Sequence, residues 1–368
     1  MMHEIAVDQY PALLAQKRDH LASLLAPFDP PEIEVFASPV LHFRLRAEFR
    51  IWHTGERCFY AMFSPSDKRQ PVEVTDFPIG SGLINSLMTQ LLTELHRQPV
   101  LRHKLFQVEF LTTLSQDALV TLIYHKPLDD AWQKQAEQLQ ETLGFPVIGR
   151  SRKQKRVLQR DYVNETLVVD DKPLRYRQIE GGFTQPNGCM NQMMLSWARR
   201  VSLAGRGEAG EQIGDLLELY CGNGNFSIAL ADIYQRVLAT EVSKTSVAAA
   251  QVNIRQNAAD NVTIVRLSSE ELVEAITGAR AFRRLENIDL SDYDIQTVLV
   301  DPPRAGLDEK SVRQIQQYER IIYISCNPQT LADNLQTLNQ THRITHLALF
   351  DQFPYTHHIE TGVMLERR

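Results

Sequence analysis

The sequence predicts a two-domain α/β protein in which an α+β domain on an antiparallel sheet precedes a domain on a mainly parallel sheet. Short runs of alternating apolar and polar residues fill positions 34–126, whereas strands alternate with helices from about 215 onward. The 368 residues carry a net charge of −6 and suffice for two separate cores. We predict domains over 1–180 and 181–368.

The first domain begins with a predicted amphipathic helix over 8–25, which Pro30-Pro31 ends. Its predicted strands lie at 43–52, 58–63, 106–114 and 118–125, and helices are expected at 83–97 and 129–143. A basic run follows the last helix, with Arg160 close behind it: Arg150, Arg152, Lys153, Lys155 and Arg156. This run is a candidate binding surface for a polyanion, and a solvated hairpin with a basic face explains it equally well.

Composition and cysteine spacing exclude several classes of protein. Cys58, Cys189, Cys221 and Cys326 form no Cys-x-x-Cys pair, so we predict free thiols rather than disulfides, a zinc site or an iron–sulfur cluster. No stretch is apolar for long enough to cross a bilayer, and the first residues lack the pattern of a signal peptide. A cytoplasmic location is therefore expected.

The second domain alternates strands with helices, which is typical of a parallel sheet covered on both faces. Strands are predicted at 215–219, 237–240, 262–266, 297–300, 321–325, 344–350 and 362–365, with early helices at 226–233 and 246–257. Ligands of such sheets bind outside the carboxyl ends of the strands. The residues that follow each strand are therefore the candidates for a functional site.

A glycine turn after the first of these strands indicates a nucleoside cofactor. Gly222 and Gly224 lie where backbone must approach a ligand closely, and Glu241 ends the next strand, where it can accept hydrogen bonds from a ribose diol. The spacing differs from the dinucleotide motif Gly-x-Gly-x-x-Gly, and no phosphate-binding lysine is present.

Three strings carry a family resemblance: Glu-x-Tyr-Cys-Gly-x-Gly at 218–224, the acidic Glu241, and Asp301-Pro-Pro-Arg. Together they resemble class I S-adenosylmethionine-dependent methyltransferases, and more narrowly the RNA uracil-C5 methyltransferases. The match covers essentially the whole second half, and the first half is similar to the members that act on the TΨC loop of tRNA. Ribosomal-RNA members typically carry a cysteine cluster and an appended β-barrel, neither of which is visible here.

The resemblance implies a Rossmann-like catalytic domain after an RNA-binding domain, S-adenosyl-L-methionine as methyl donor, and no metal. It implies the T-arm of tRNA, or other RNAs with a T-loop-like hairpin, as partner. The residues expected to line the donor are Gln185, Tyr220, Gly222, Asn225, Glu241 and Asp301. Glu241 would hold the ribose hydroxyls and Tyr220 would lie along the ligand. Gln185 and Asp301 can serve either the donor or the uracil, and the sequence leaves that open.

Two further residues fit the chemistry of uracil methylation. Cys326 ends a strand within Ile324-Ser-Cys-Asn-Pro328, where a thiolate could add to uracil C6 and activate C5, and the following helix start is expected to lower the pKa of the thiol. By the resemblance, Glu360 in His357-His358-Ile359-Glu360 is the proton acceptor. Without the resemblance, Cys326 would be typical of a buried structural cysteine and Glu360 of a surface residue. Cys221 is expected to be a packing residue.

A uridine stacked in an RNA loop must swing out before it can react, so aromatic and cationic contacts are expected. The candidates are Arg50, Phe106, His125, Phe183 and Arg304. Phe106 fits a core position equally well, and the arginines fit a solvated face. Three alternative functions stay open: a ribosomal-RNA uracil methyltransferase, a cytosine-C5 enzyme, and an RNA-binding folding factor with secondary catalysis. RNA cytosine-C5 enzymes commonly carry a cysteine after the Asp-Pro-Pro segment, where this chain has Arg304, which favours uracil.

Overall fold

A computed structural model describes residues 5–64, 67–204 and 214–368 of the chain. Its strands are β1 Ile33–Phe36, β2 Arg46–Thr54, β3 Arg57–Ser64, β4 Asp67–Glu73, β5 Leu105–Thr112, β6 Ala118–Tyr124, β7 Val147–Ser151, β8 Gln154–Val157, β9 Tyr162–Val169, β10 Lys172–Ile179, β11 Asp215–Leu219, β12 Val237–Thr240, β13 Val262–Val265, β14 Ile295–Val300, β15 Arg320–Ser325, β16 His342–Phe350 and β17 Glu360–Arg367. Its α-helices are α1 Tyr10–Leu25, α2 Gly82–Arg97, α3 Pro99–Arg102, α4 Asp130–Leu143, α5 Gly188–Leu203, α6 Asn225–Leu230, α7 Lys244–Gln256, α8 Ser269–Ile276, α9 Glu309–Ile315 and α10 Pro328–Leu338. None of these helices is long and apolar enough to span a membrane.

The chain forms two compact units whose limits differ from the predicted boundary at 180. The first unit consists chiefly of Pro39–Thr166 and Gln178–Gly188, and the second of Asp8–Ser38, Leu167–Arg177 and Cys189–Arg368. The N-terminal segment belongs to the second unit because β1 pairs in parallel with β16 and α1 packs against α10. A pattern of apolar residues predicts such a helix and strand without showing which sheet they join.

The first unit has the expected α+β form. Its seven strands follow the order β4-β3-β2-β5-β6-β7-β8, and every neighbouring pair is antiparallel except β6 and β7. The apolar faces of α2 and α4 pack against this sheet. Phe49, Tyr60 and Phe110 contact one another through tilted or edge-on rings in the core between the layers.

The second unit contains an eight-stranded sheet in the order β1-β16-β17-β15-β14-β11-β12-β13. The pairs from β15 to β13 are parallel, and every residue of β11 and β12 is buried, as expected for strands covered on both faces. The predicted strands of this half are all present. The last of them, β17, lies antiparallel between β15 and β16, an order that hydrophobic periodicity does not reveal.

Candidate functional site

The strand order of the second unit gathers five of the predicted site residues at one edge of its sheet. Five neighbouring strands meet this edge. The parallel strands β12, β11, β14 and β15 end there, and the antiparallel strand β17 begins there. The backbone register aligns Leu219 with Thr240 and with Val300, and it aligns Val300 with Tyr323. The side chains that follow or start these strands there are Glu241, Tyr220, Asp301, Cys326 and Glu360. This is the carboxyl edge of the parallel strands, where ligands of such sheets bind.

Cys326 directly follows β15, and Glu360 is the first residue of β17, the antiparallel neighbour of that strand. The last pair in the β15–β17 register is Ser325 with Thr361, so the next position along the two chains holds Cys326 opposite Glu360. Residues that face each other across antiparallel strands have Cα atoms about 4.5–5.5 Å apart. The pairing therefore brings the predicted nucleophile and the predicted base together.

The environment of Cys326 disfavours its thiolate. Burial, together with the negative charges of Glu360 and Asp301, raises the pKa of the Cys326 thiol to about 11. The thiol pKa is therefore not lowered overall, and the contribution expected from the start of α10 stays a prediction. The helix start is instead capped by Asn327, whose side chain accepts a hydrogen bond from the Gln329 amide at 3.2 Å.

Two carboxyl groups next to the thiol are held in a low-dielectric environment. Glu360 is buried, and burial together with the charge of Asp301 raises its pKa well above the ordinary range. Burial also raises the pKa of Asp301, to about 7. These two carboxyls therefore hold their protons to a higher pH than ordinary carboxyls do.

A hydrogen bond joins the glycine turn to the Glu241 carboxylate. The two carboxylate oxygens of Glu241 accept hydrogen bonds from the backbone amides of Gly222, at 3.1 Å, and Ser243, at 2.7 Å. Gly222 and Gly224 adopt φ angles of 56° and 83°, and a Cβ atom added at Gly222 would meet no atom within 4 Å. The turn thus presents backbone to open space beside a fixed carboxylate.

Other predicted donor-binding residues are fixed by neighbours in the same unit. Tyr220 has a left-handed backbone, with φ at 63°, and its hydroxyl forms a 2.7 Å hydrogen bond with the Ser269 hydroxyl. The amides of Asn225 and Asn191 exchange two hydrogen bonds, at 2.8 and 3.0 Å, which leaves one N–H of the Asn225 side chain outside the pair. Cys221 is buried, as expected for a packing residue.

The structure adds three residues that the sequence analysis did not assign to the site. Glu218 is buried beneath the turn, where Ser227 donates a hydrogen bond to it and burial raises its pKa to about 8. Asn327 joins two loops, because its side-chain amide donates to the Arg304 carbonyl at 3.1 Å. The absence of a side chain at Gly362 allows the rings of Phe350 and Trp197 to pack against its backbone, since their atoms would lie 2.9 Å from an added Cβ. An acidic residue inside an apolar strand was the available signal for Glu218.

Gln185 and Phe183 lie in the Gln178–Gly188 segment of the first unit. Phe183 is 72% exposed, which is unusual for a phenylalanine. Arg304 is exposed in the second unit, in the loop after β14. Their roles toward donor and RNA stay predictions.

Three predicted RNA contacts form a stack on the first unit. The Phe106 and His125 rings are 4.0 Å apart between centroids and 27° from parallel. The guanidinium carbon of Arg50 lies 3.5 Å from the centroid of the Phe106 ring. Phe106 is half-buried while Arg50 and His125 are exposed, so Phe106 is a surface ring rather than a core residue.

The basic run folds into the β7–β8 hairpin, and acids neutralise most of it. Arg150 forms two 2.6 Å hydrogen bonds with Glu180, which also lies 3.2 Å from the Lys155 ammonium. Arg160 makes a bidentate pair with Asp117. These contacts favour the solvated hairpin over a polyanion-binding surface.

The metal-binding side chains are dispersed. In the described parts of the chain, no three His, Cys, Asp or Glu side chains are grouped to hold a metal ion. The four cysteines are free thiols, as predicted.

Comparison with solved structures defines the class of fold. A Pyrococcus abyssi tRNA (uracil-54, C5)-methyltransferase, solved in complex with S-adenosyl-L-homocysteine, superposes with a TM-score of 0.73. The superposition covers 97% of this chain and 83% of the archaeal chain, at 21% sequence identity. The fold is that of a class I S-adenosylmethionine-dependent methyltransferase, with the α+β unit in addition.

Sequence relatives define the family. The model of the tRNA (uracil-5-)-methyltransferase family matches residues 9–368. A tRNA/tmRNA (uracil-C(5))-methyltransferase of Stutzerimonas stutzeri is 56% identical over 360 residues, which is 98% of each chain. That of Aggregatibacter aphrophilus is 54% identical over 372 residues and all of both chains. The chain belongs to the tRNA (uracil-5-)-methyltransferase family and is an enzyme that methylates C5 of uracil in tRNA with S-adenosylmethionine.

Proposed function

We propose that the enzyme forms 5-methyluridine in the TΨC loop of tRNA, with Cys326 as nucleophile and Glu360 as proton acceptor. The observation that carries this proposal is the opposition of these two residues one position beyond Ser325 and Thr361. The uracil mechanism needs a thiol at C6 and a base at the adjacent C5, and these two side chains stand next to each other. The tRNA position is the one that the name of the archaeal structural relative gives, uracil 54.

In this mechanism the Cys326 thiolate forms a bond to C6, and the electrons of the C5–C6 double bond move onto C5 and the O4 carbonyl. S-adenosylmethionine would supply the methyl group: C5 forms a bond to the methyl carbon, the bond from that carbon to the sulfonium sulfur breaks, and S-adenosylhomocysteine leaves. The Glu360 carboxylate then takes the proton from C5, the double bond re-forms, and the bond between sulfur and C6 breaks. The Cys326 thiolate and a protonated Glu360 result, and release of that proton from Glu360 to solvent restores the starting thiolate and carboxylate.

Burial fits Glu360 for the proton transfer. A carboxylate in a low-dielectric site is a stronger base than one in water, because burial disfavours its charged form. The same burial, with the charge of Asp301, disfavours the charged forms of Glu360 and of the Cys326 thiol. A cation bound beside these groups lowers all three pKa values. Binding of the positively charged methyl donor therefore favours the reactive charge states.

The residues of the strand edge suit S-adenosylmethionine. Glu241 has its carboxylate fixed by two amides and can accept hydrogen bonds from the ribose hydroxyls. Tyr220, Gly222 and Asn225 would line the same ligand from the glycine turn, and the carboxyls of Asp301 and Glu218 complement its positive charge. Gln185 stays a predicted contact of either the donor or the uracil.

The stack of Arg50, Phe106 and His125 would bind the opened RNA loop. A pre-formed stack of rings with a cation at hand offers an unstacked base a face at little cost in side-chain entropy. Phe183 and Arg304 are further candidate contacts because both are exposed. The expected partner is the T-arm. The bacterial relatives are named for tmRNA as well as tRNA, so other RNAs with a T-loop-like hairpin are expected substrates.

The test incubates the purified protein with labelled S-adenosylmethionine and unmodified tRNA, tmRNA and ribosomal-RNA transcripts, and maps the methylated nucleotide. Methyl on C5 of the T-loop uridine of tRNA, with none on ribosomal RNA, is the expected result. Methylation at another tRNA position or on a cytosine would contradict the proposed position. A Cys326→Ala variant that kept full biological effect without methylation would favour the RNA-folding alternative.

A further inference from the structure

A lysine is buried on the apolar face of the N-terminal helix. The buried residues of α1 are Tyr10, Lys17, Leu21 and Leu25, so Lys17 stands in line with leucines four and eight positions later. Only 6% of Lys17 is exposed. A lysine in such a position needs a partner, because burying an uncompensated ammonium is costly.

The partner of Lys17 is the connection that leads to Glu360. The Lys17 ammonium contacts the Asp351 carboxylate at 2.6 Å and donates to the Phe353 carbonyl at 2.9 Å. Asp351 is 1% exposed, and among the described residues Lys17 is its only cation within ion-pair distance. Residues 351–359 connect β16 to β17, and the register pairs Phe350 with Glu360 at the base of this connection.

Other contacts fix the same connection from the N-terminal segment. The Asp351 amide donates to the Phe36 carbonyl at 3.1 Å, and the Tyr10 and Tyr355 rings lie 5.7 Å apart between centroids. Burial and the charge of Asp351 raise the pKa of Tyr10, which places its hydroxyl near that carboxylate. The Phe353 carbonyl that Lys17 contacts also accepts a hydrogen bond from Thr356 at 2.8 Å. Helix α1 and strand β1 therefore support the segment before the proposed base.

We propose that Lys17 is a positioning residue for Glu360: its bonds to Asp351 and Phe353 fix the 351–359 connection and thereby hold the Glu360 carboxylate opposite Cys326. This inference rests on the proposed role of Glu360. Lys17 touches neither Glu360 nor the reacting atoms, so it acts only through the connection. Without Lys17 the buried Asp351 loses its counter-charge and the connection must rearrange to hydrate it.

The proposal predicts which step of the reaction fails. Displacement of Glu360 leaves C6 addition and methyl transfer possible but slows removal of the C5 proton, so the bond between the Cys326 sulfur and C6 persists. A displacement of about 1 Å can slow such a step by tenfold or more. A protein–RNA adduct that survives denaturation therefore accumulates, and turnover falls by about the same factor.

The experiment compares four variants of the full chain with the native enzyme: Lys17→Met, Asp351→Asn, Glu360→Gln and Arg236→Met. Each is mixed with unmodified tRNA and S-adenosylmethionine, and the covalent adduct is quantified on a denaturing gel alongside turnover and thermal unfolding. Arg236→Met is the matched control, since it also removes the cation that contacts a buried carboxylate, that of Asp215. Asp215 is at the start of β11, at the opposite end of the strand from the candidate site. Asp351→Asn keeps the shape of the contact if Lys17→Met folds poorly.

The expected result is an adduct level at least tenfold above native for Glu360→Gln and for Lys17→Met or Asp351→Asn, with no increase for Arg236→Met. If Glu360→Gln accumulates adduct while folded Lys17→Met and Asp351→Asn match Arg236→Met, Lys17 is only structural and the inference is overturned, while the proposed base stands. If Glu360→Gln accumulates none, the proposed base fails, and the inference fails with it.

Discussion

The strand-edge site of the second unit and the aromatic stack of the first unit differ in both burial and charge. The site gathers the Cys326 thiol with the buried or partly buried carboxyls of Asp301 and Glu360, all with raised pKa values. The stack combines the Arg50 cation with the rings of Phe106 and His125 on the surface. Acidic groups in a shielded site suit a cationic donor, and exposed rings with a cation suit a polyanion with stacking bases.

Because of this difference, substitutions in the two regions are expected to change different measured quantities. Changes at the strand edge alter charge states of buried groups, so they affect the chemical step, donor binding and pH dependence. Changes in the stack alter contact with the RNA and so affect tRNA affinity.

The largest effect is expected at the nucleophile. Replacing Cys326 with Ala removes the proposed nucleophile, so methyl transfer should fall by about 10⁴-fold or more, while tRNA binding changes little. Single-turnover transfer from labelled donor checks this. Cys189→Ala, another free thiol of the second unit, is the control and should retain activity. Substantial transfer by Cys326→Ala would remove Cys326 from the mechanism.

The next effect is expected at the donor site. Glu241→Gln replaces a carboxylate oxygen that accepts a backbone hydrogen bond with an amide that donates, and it removes the charge available to the ribose. The KM for S-adenosylmethionine should rise by about 10- to 100-fold with little change in kcat. Steady-state kinetics with varied donor measure both constants, and Glu286→Gln, an exposed acid of the same unit, is the control. A fall in kcat at constant KM would assign Glu241 to the chemical step instead.

A smaller effect is expected in the stack. Phe106→Ala removes the central ring, and loss of one stacking contact should weaken tRNA binding by about tenfold without altering the dependence of affinity on salt. Binding titrations at several salt concentrations measure both. Phe59→Ala, a half-buried ring of the same unit with Arg57 beside it at 5.6 Å, should leave affinity unchanged. Equal losses from the two variants would show a general effect on the first unit.

The mildest effect concerns pH. Because the pKa of Cys326 is raised to about 11, alkylation of this thiol in the ligand-free protein should accelerate about tenfold per pH unit between pH 7 and 10. Glu360→Gln removes a group whose negative charge raises the thiol pKa, so this pKa should fall and alkylation at the upper end of this pH range should be faster than in the native protein. Peptide mass spectrometry resolves Cys326 from the other cysteines. A rate independent of pH would contradict the buried, acidic environment.

The sequence predicts the strand edge better than its electrostatics. Tyr220, Glu241 and Asp301 follow apolar runs that are recognisable as parallel strands, and one topological rule places such residues together. The neighbouring positions of Cys326 and Glu360 depend on β17 lying antiparallel beside β15, which periodicity does not encode. The raised thiol pKa depends first on burial and then on the carboxyls of Glu360 and Asp301, which a local rule about helix starts does not take into account.

The N-terminal segment is a second case in which the sequence predicts an element but not the residues it contacts. The spacing of leucines predicts α1 correctly, but membership of the second unit follows from pairing of β1 with β16, over 300 residues away in the chain. Lys17 appears in the sequence as one charged residue on a helix, and only the fold shows its contact with Asp351. The stack of Arg50, Phe106 and His125 likewise forms from three elements, which is why the sequence left Phe106 open between core and surface.

The most direct test of the central claim is to locate the covalent bond between protein and RNA. Glu360→Gln protein is mixed with unmodified tRNA and S-adenosylmethionine, the adduct is digested, and the RNA-linked peptide is identified by mass spectrometry. A single linkage is expected, from the Cys326 sulfur to a methylated T-loop uridine. A linkage through Cys221, the buried thiol of the glycine turn, or linkage through no cysteine at all, would contradict it.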